Sequence, residues 1–590
     1  MNNLVTKLSV RTIALGLAAA KLKPGNLSIA LIIGLSVCAT LVASPGKPAM
    51  QTYILKGDDL NTLTAAVQAV GGEVTHELGK IDAVGGRLSD AELRARKEHN
   101  AVGRVYADTA VAVTGKPPKD DGGSNGNNNI DSTYLGRMTG AVQLHQEGIT
   151  GDGVTIAVVD TGTWSDSGIV RDPNNETRLL AEYDAINDTT FVSEDGYGHG
   201  SHVTSIAVNS RLTDNGEFGG IAPMADVVGV RAFDDLGQGT YADVIRALDW
   251  VVANKDTYNI RVLNLSFSAE PRSYYWDDPM NQAVMAAWQA GIVVVASAGN
   301  SGPDAMTIGA PGNVPYVITV GAMTDNYTAD NFYDDFLATF SAAGPTVEGF
   351  VKPDMVAPGG HARGLMKSNT YLATTYPEFY DGAKYFMMSG TSQAAAVVSG
   401  IAALLLQDEP WLTPNEVKGR LMSSARPASY SGGSLAYSVL QQGAGLVNAY
   451  DAVHSNTAHV ANRGLDIDAD LAGTAHYGGP VSIWEKKTKG QVSYVYYVRD
   501  AEGNPLPNGG YEWNGAYNYT DGYLWADGYL WADGYLWADG YLWADGYLWA
   551  DGYLWADGYL WADGYLWADG YLWADTLIES AKVNVWVPQE

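Results

Sequence analysis

The sequence predicts an α/β protein with a mostly parallel β-sheet and helices on both faces. Within residues 131–450, apolar β-rich runs recur at Val154-Thr155-Ile156-Ala157-Val158-Val159, 226–230, Val262-Leu263-Asn264-Leu265, 292–296 and 316–320. Stretches with helical spacing separate them, notably 241–254 and 280–290. Continuous apolar strands alternating with helices mean a sheet buried on both sides. Composition agrees: 46% of residues are hydrophobic and 17% charged, enough to bury a large core and too apolar for a disordered chain. At 590 residues the chain is too long for one small module. Its formal charge of −30 repels phosphate backbones, so no nucleic-acid partner is expected.

Residues 1–43 read as an export signal. Lys7, Arg11, Lys21 and Lys23 form a basic region, and the apolar run at 27–42 is short of the roughly 20 residues that span a bilayer. Cys38, the one cysteine, lies inside it, so the processed protein has no thiol for disulfides or catalysis. A cysteine-free exported protein suits a bacterium, and the expected location is extracellular or at the cell surface.

Residues 44–113 read as a small α+β unit. Tyr53-Ile54-Leu55 is strand-like, 60–70 places Leu60, Leu63, Val67 and Val70 on one helical face, and 91–99 suggests a second helix. Val102, Val105 and 110–113 read as closing strands. Residues 114–130, rich in Pro, Gly and Asn without apolar periodicity, form an exposed linker of the kind proteases cut. After the 131–450 domain, 451–520 suggest a small β extension and 576–590 a strand-like tail.

Residues 521–575 hold nine perfect copies of Asp-Gly-Tyr-Leu-Trp-Ala. Asp-Gly favours a two-residue hairpin turn and Tyr-Leu-Trp-Ala a strand, so a meander, a stacked solenoid and a disordered tail all remain open. So many Tyr-Trp pairs suggest attachment to a cell surface, a glycan or copies of the chain, with a passive spacer as the competing reading.

Three places could carry chemistry. Asp160 ends the strand at 154–159, where open parallel sheets place their ligands. Gly198-His199-Gly200-Ser201-His202-Val203 sets a histidine at a helix start between two glycines. Ser389-Gly390-Thr391-Ser392 runs into a small-residue helix whose N-terminus offers backbone N–H groups. Taken singly, the carboxylate and the serine are ordinary helix caps, and His199 with His202 could hold a metal.

Taken together, the sequence resembles the subtilisin-like serine proteases. The resemblance rests on Val158-Val159-Asp160-Thr161-Gly162, the glycine-flanked His199 motif and Gly390-Thr391-Ser392. Gly220-Ile221-Ala222-Pro223, Leu263-Asn264-Leu265-Ser266-Phe267, Ser297-Ala298-Gly299-Asn300-Ser301-Gly302 and Lys352-Pro353-Asp354-Met355-Val356-Ala357-Pro358-Gly359 support it. It implies a three-layer subtilisin-like fold and a secreted endopeptidase acting on polypeptides. Ser392 would be the nucleophile, His199 its general base and Asp160 the group that orients and stabilises the imidazolium. Asn300 would donate to the oxyanion. Leu265, Ser266, Phe267, Ala298 and Gly299 would line a pocket for apolar or uncharged side chains.

By the same resemblance, 44–113 is similar to the family's I9-type inhibitory propeptide, which folds the protease and blocks its cleft until the linker is cut. No cofactor is needed for the chemistry. Structural calcium is common in the family, and Asp184, Asn187, Asp188, Asp325, Asp330, Asp334 and Asp335 offer oxygens without a fixed ligand spacing. The sequence departs from the family at Gln393, Ala396 and Val397, where Met and Pro-His are usual, and at Ser268, where glycine is frequent. It also lacks the usual His-Pro in Thr163-Trp164-Ser165-Asp166. The competing reading is a catalytically silent member of the same fold that displays the aromatic repeats.

Overall fold

The structure is a computed structural model that describes residues 50–96, 102–116, 134–190, 194–326, 328, 334–430, 435–455, 460–488, 491–498 and 578–584. The expected export signal, most of the linker, Asp330 and the hexapeptide array lie outside these residues.

The N-terminal unit has the order β1 (Met50–Gly57), α1 (Leu60–Ala69), β2 (Glu73–Leu78), β3 (Ala83–Ser89), α2 (Asp90–Arg96) and β4 (Val102–Ala107). Its sheet runs β2-β3-β1-β4, with β1 antiparallel to both neighbours. Strand alternation gives this sheet two buried faces. Leu55 and Val84 pack with Leu63 and Val67 of α1 in the unit's own core. Their neighbours Ile54 and Ala83 face the other way, into the core of the main domain. Asp59 caps α1 by accepting from Thr62 N.

One expected closing strand leaves this sheet. β5 (Ala110–Lys116) pairs antiparallel with β9 (Gln238–Thr240) of the main domain, placing Val111 opposite Gly239. β19 (Ile578–Asn584), within the expected strand-like tail, lies parallel to β5 on its other side.

The main domain carries an eight-stranded sheet ordered β13-β12-β11-β10-β6-β8-β7, with β14 paired to β12. The strands are β6 (Thr155–Asp160), β7 (Leu179–Asp184), β8 (Asp226–Arg231), β10 (Ile260–Leu265), β11 (Val293–Ser297), β12 (Ile318–Thr324), β13 (Phe336–Leu337) and β14 (Met355–Pro358). All pairings are parallel except β12–β13. Every residue of β6, β11 and β12 is buried, which accounts for their unbroken apolar sequence. Two helix pairs cover the sheet: α3 (His199–Val208) with α6 (Thr391–Asp408), and α4 (Tyr241–Asn254) with α5 (Pro279–Gln289). Chain order reverses between β6 and β10, so the crevice beyond their carboxyl ends is the topological switch point.

The segment after residue 450 departs from expectation. Residues 460–477 form no strand. They carry the short helix Ile467–Leu471 and pack Leu465, Ile467 and Leu471 against the main core. Buried Asp470 accepts hydrogen bonds from the phenols of Tyr275 (2.6 Å) and Tyr316 (3.0 Å) and lies 2.8 Å from His476 Nδ1. The His476 ring stacks on Trp276 at 4.7 Å. Only beyond this docked stretch does the expected β structure begin, as the antiparallel hairpin β17 (Val481–Thr488) and β18 (Gln491–Val498). Asp470→Ala strips two buried phenols of their acceptor and should lower stability by roughly 2–4 kcal/mol, read as a lower thermal unfolding midpoint.

Candidate active site

Asp160 ends the central strand β6, and its Oδ1 accepts from the Thr161 amide at 2.8 Å. His199 opens α3, with Nδ1 at 2.8 and 2.9 Å from the two Asp160 carboxylate oxygens. A carboxylate only accepts, so Nδ1 carries the proton of a neutral His199 imidazole and Nε2 keeps its lone pair. That Nε2 is buried and has no hydrogen-bond partner. Gly200 permits this approach, because a β-carbon there would meet the Gly162 carbonyl oxygen at 2.3 Å.

Ser392 stands in the first turn of α6, fully buried. Its hydroxyl donates to the Ser266 carbonyl at 2.9 Å, and the Ser266 hydroxyl donates to the Ser392 carbonyl at 2.8 Å. Asn264 Nδ2 donates to Ser266 Oγ, and Ser399 Oγ donates to Asn264 Oδ1, which ties the end of β10 to α6. The structure therefore joins Asp160 to His199 but gives the Ser392 hydroxyl a backbone partner instead of the imidazole. α3 packs on α6, with His202 Nδ1 3.5 Å from Gln393 Nε2.

Asn300 Oδ1 accepts from the Thr391 amide (2.9 Å) and the Thr391 hydroxyl (2.8 Å). Nδ2, the other end of the same amide, is likewise buried without a partner. Buried polar atoms almost always find partners, and each exception costs about 1–3 kcal/mol. Here three exceptions, His199 Nε2, Asn300 Nδ2 and Gln393 Oε1, lie on the segments that carry the candidate residues.

Asp195 is a residue the sequence reading missed. It is fully buried, and burial pushes its carboxyl up from the ordinary aspartate range. Oδ1 accepts from Thr161 Oγ1, Tyr197 N and Gly198 N; Oδ2 accepts from Ser201 N and Ser201 Oγ. It thus holds the turn after Asp160 against the start of the His199 helix. The only signal in the sequence is an aspartate four positions before the histidine, in Asp195-Gly196-Tyr197-Gly198.

Leu265 and Phe267 point into the core, Phe267 against Phe233 with ring centroids 5.2 Å apart. Against the expectation that their side chains line a pocket, they can offer a substrate only backbone. Ser266 faces Ser392, and Ala298 packs with Ile308 and Ala342 beside Gly299. The second ring, His202, donates from Nε2 to the Phe386 carbonyl at 3.0 Å, and burial lowers its pKa to about 3. His199 Nδ1 is thus committed to Asp160 and His202 Nε2 to the Phe386 carbonyl.

Among the described residues no group of three or more His, Cys, Asp or Glu is placed to hold a metal ion. Asp184 accepts from the Ile186 and Asn187 amides and from Asn187 Nδ2, and Asp188 accepts from the Tyr183 phenol. Asp334 accepts from Thr328 Oγ1. Asp335, pushed up to about 7 by burial and by Asp325 and Asp334, holds its proton near neutrality.

The sequence profile of the subtilase family matches residues 151–456, over half of the chain. Serine protease AprX of Bacillus subtilis is 40% identical over 310 residues, covering 52% of this chain and 67% of the relative. The chain belongs to the subtilase family. Subtilisin E of Bacillus subtilis is 32% identical over 312 residues, covering 52% of this chain and 68% of its own length. The crystal structure of fervidolysin from Fervidobacterium pennivorans superposes with a TM-score of 0.52 at 22% identity, covering 77% of this chain and 68% of that one, which shows the shared fold. This subtilase is a subtilisin-like serine endopeptidase, and its substrates are polypeptides. If Asn300 Nδ2 serves a developing oxyanion, Asn300→Ala should lower kcat about 10²–10³-fold with little change in KM, a magnitude taken from a subtilisin oxyanion donor, and should also lower the unfolding midpoint because Thr391 loses its acceptor. Steady-state kinetics on an anilide peptide, beside thermal unfolding, would measure it.

Proposed function

We propose that Ser392, His199 and Asp160 form the catalytic triad of an exported endopeptidase made as a self-processed precursor. The observation that carries this reading is the His199 imidazole, clamped by Asp160 at Nδ1 and left open at buried Nε2. In the reaction Ser392 Oγ leaves the Ser266 carbonyl and passes its proton to Nε2. The oxygen attacks the peptide carbonyl, and the negative charge gathers on the carbonyl oxygen. Asn300 Nδ2 and the Ser392 backbone N–H stabilise that charge. The imidazolium, steadied by Asp160, then protonates the leaving amine, and an acyl-enzyme remains on Ser392. Water enters by the same base and releases the second product.

The N-terminal unit, 44–113, acts in this reading as an inhibitory propeptide. β5 lies on β9 as an added strand, the manner in which extended peptides dock on a sheet edge. His199 and Ser392 are both inaccessible in this uncut chain. Cutting between β5 and the main domain frees the unit. Export follows from the basic and apolar leader; among the described residues no helix is long and apolar enough to cross a membrane. The repeats are proposed to attach the mature enzyme to a surface or glycan. Calcium, where it binds, serves stability and not the chemistry.

Two outcomes test this. Ser392→Ala should accumulate as the full uncut precursor and lose labelling by a fluorophosphonate, which wild type takes up at Ser392. Self-cleavage by Ser392→Ala would sink the assignment.

Docking of the cut N-terminal unit should also depend on pH. Asp108 accepts from the Ala242 amide at the start of α4, and Asp249 accepts from the Lys80 amide. Burial raises both carboxyls to about 6. Groups that bind protons more tightly when docked than free strengthen docking as pH falls through 6 and weaken it as pH rises. Size-exclusion chromatography of freshly cut protein should show co-elution at pH 5 and separation at pH 8.

A further inference from the structure

The run that continues β10 turns alternate side chains to opposite sides. Ser266 reaches Ser392, Phe267 enters the core, and Ser268 comes back to the side of the reaction centre. There the Ser268 hydroxyl sits between two glycines. A β-carbon at Gly299, the residue before Asn300, would lie 2.9 Å from Ser268 Oγ. One at Gly309 would lie 1.8 Å from the same atom. Gly309 is held in place by its amide on the Ala298 carbonyl at 3.0 Å, and Ala269 pairs with Ala310. Three walls thus meet beside the nucleophile: 266–269, 298–300 and 308–310. The space that both glycines leave open is taken up by one hydroxymethyl group. Behind it, Ala298, Ile308 and Ala342 close an apolar floor. Ser268 is only 5% exposed, so little room remains between it and those walls.

We infer that Ser268 narrows the pocket receiving the side chain on the acyl side of the scissile bond, making this enzyme selective for small residues there. The inference rests on the Ser392, His199 and Asp160 assignment above and names the substrate class of that site. Glycines at 299 and 309 alone would leave a slot deep enough for a large apolar side chain. The hydroxymethyl group between them fills that slot, so glycine, alanine, serine and threonine fit and phenylalanine does not. Pocket volume sets the size of the effect, since one or two carbon atoms in an apolar pocket change kcat/KM about 10–200-fold.

The test uses matured wild type, Ser268→Gly, Ser268→Ala and Ser268→Val. Each is titrated with a fluorophosphonate so that rates refer to working sites. The probes are tetrapeptide anilides differing only in the last residue: Ala, Val, Leu or Phe. Wild type should cleave the Ala peptide best and the Phe peptide worst. Ser268→Gly should raise the Phe-to-Ala ratio of kcat/KM at least about tenfold, Ser268→Ala by less, and Ser268→Val should lower cleavage after Leu further. A series varying the first residue of the peptide should be unmoved. A wild-type preference for Phe, or a ratio unchanged in fully titrating Ser268→Gly, would overturn the inference and leave the triad standing. If no variant takes up the fluorophosphonate, the catalytic assignment falls and this inference falls with it.

Discussion

The site depends on a buried carboxylate that performs no chemistry. Asp195 accepts five hydrogen bonds: one from Thr161 in the turn after β6, two from the Tyr197 and Gly198 amides of its own turn, and two from Ser201 in the first turn of α3. Thr161 completes the link by accepting from the Gly200 amide while its hydroxyl donates to Asp195. An uncompensated charge at this depth would be prohibitive, and five charge-assisted bonds offset its desolvation. With the backbone fixed on both sides, the Asp160–His199 pair needs no freedom of its own. A loosely held pair would waste the orientation on which proton transfer relies.

The opposite half of the site is built on the same plan with neutral groups. Ser266 and Ser392 exchange hydrogen bonds through each other's carbonyls, and Asn264 and Ser399 extend the ladder into α6. Thr391 fixes the Asn300 amide from two directions. Among the described residues of the site, His199 Nε2, Asn300 Nδ2 and Gln393 Oε1 are left without partners. In the proposed reaction His199 Nε2 receives the Ser392 proton and Asn300 Nδ2 meets the oxyanion. Leaving them open lowers the stability of the free site and places the return on the transition state, which is how preorganised electrostatics works.

Much of this was legible in the sequence because it is written locally. The strand ending at Asp160 and the helix at 241–254 showed themselves through apolar continuity and through the 3.6-residue period. The glycine-flanked His199 and Ser392 stood out because backbone contact requires glycine there. Partnership across the chain was not legible. Leu265 and Phe267 look like pocket linings until the pleat turns them into the core. Asp195 looks like a loop acid until Thr161 arrives from thirty-four positions away. β5 looks like the last strand of the N-terminal unit, but its apolar pattern does not say whose edge it will join.

The stretch at 460–477 shows why such boundaries elude composition. Its polar, short-residue text reads as an appendage, and its few apolar side chains are too sparse to signal a core. Its anchoring comes instead from Asp470, which gathers the phenols of Tyr275 and Tyr316. Tyr275 and Trp276 belong to the loop whose next residue, Asp277, pairs with Arg104 of the N-terminal unit. One loop is thus gripped from behind by the C-terminal segment and in front by the N-terminal one. The two contacts fall within four consecutive residues, Tyr274-Tyr275-Trp276-Asp277. In the uncut chain both flanking segments contact the same loop of the main domain. Its surface loop is braced by chain from both ends, and a boundary drawn at 450 by sequence composition cuts through that brace.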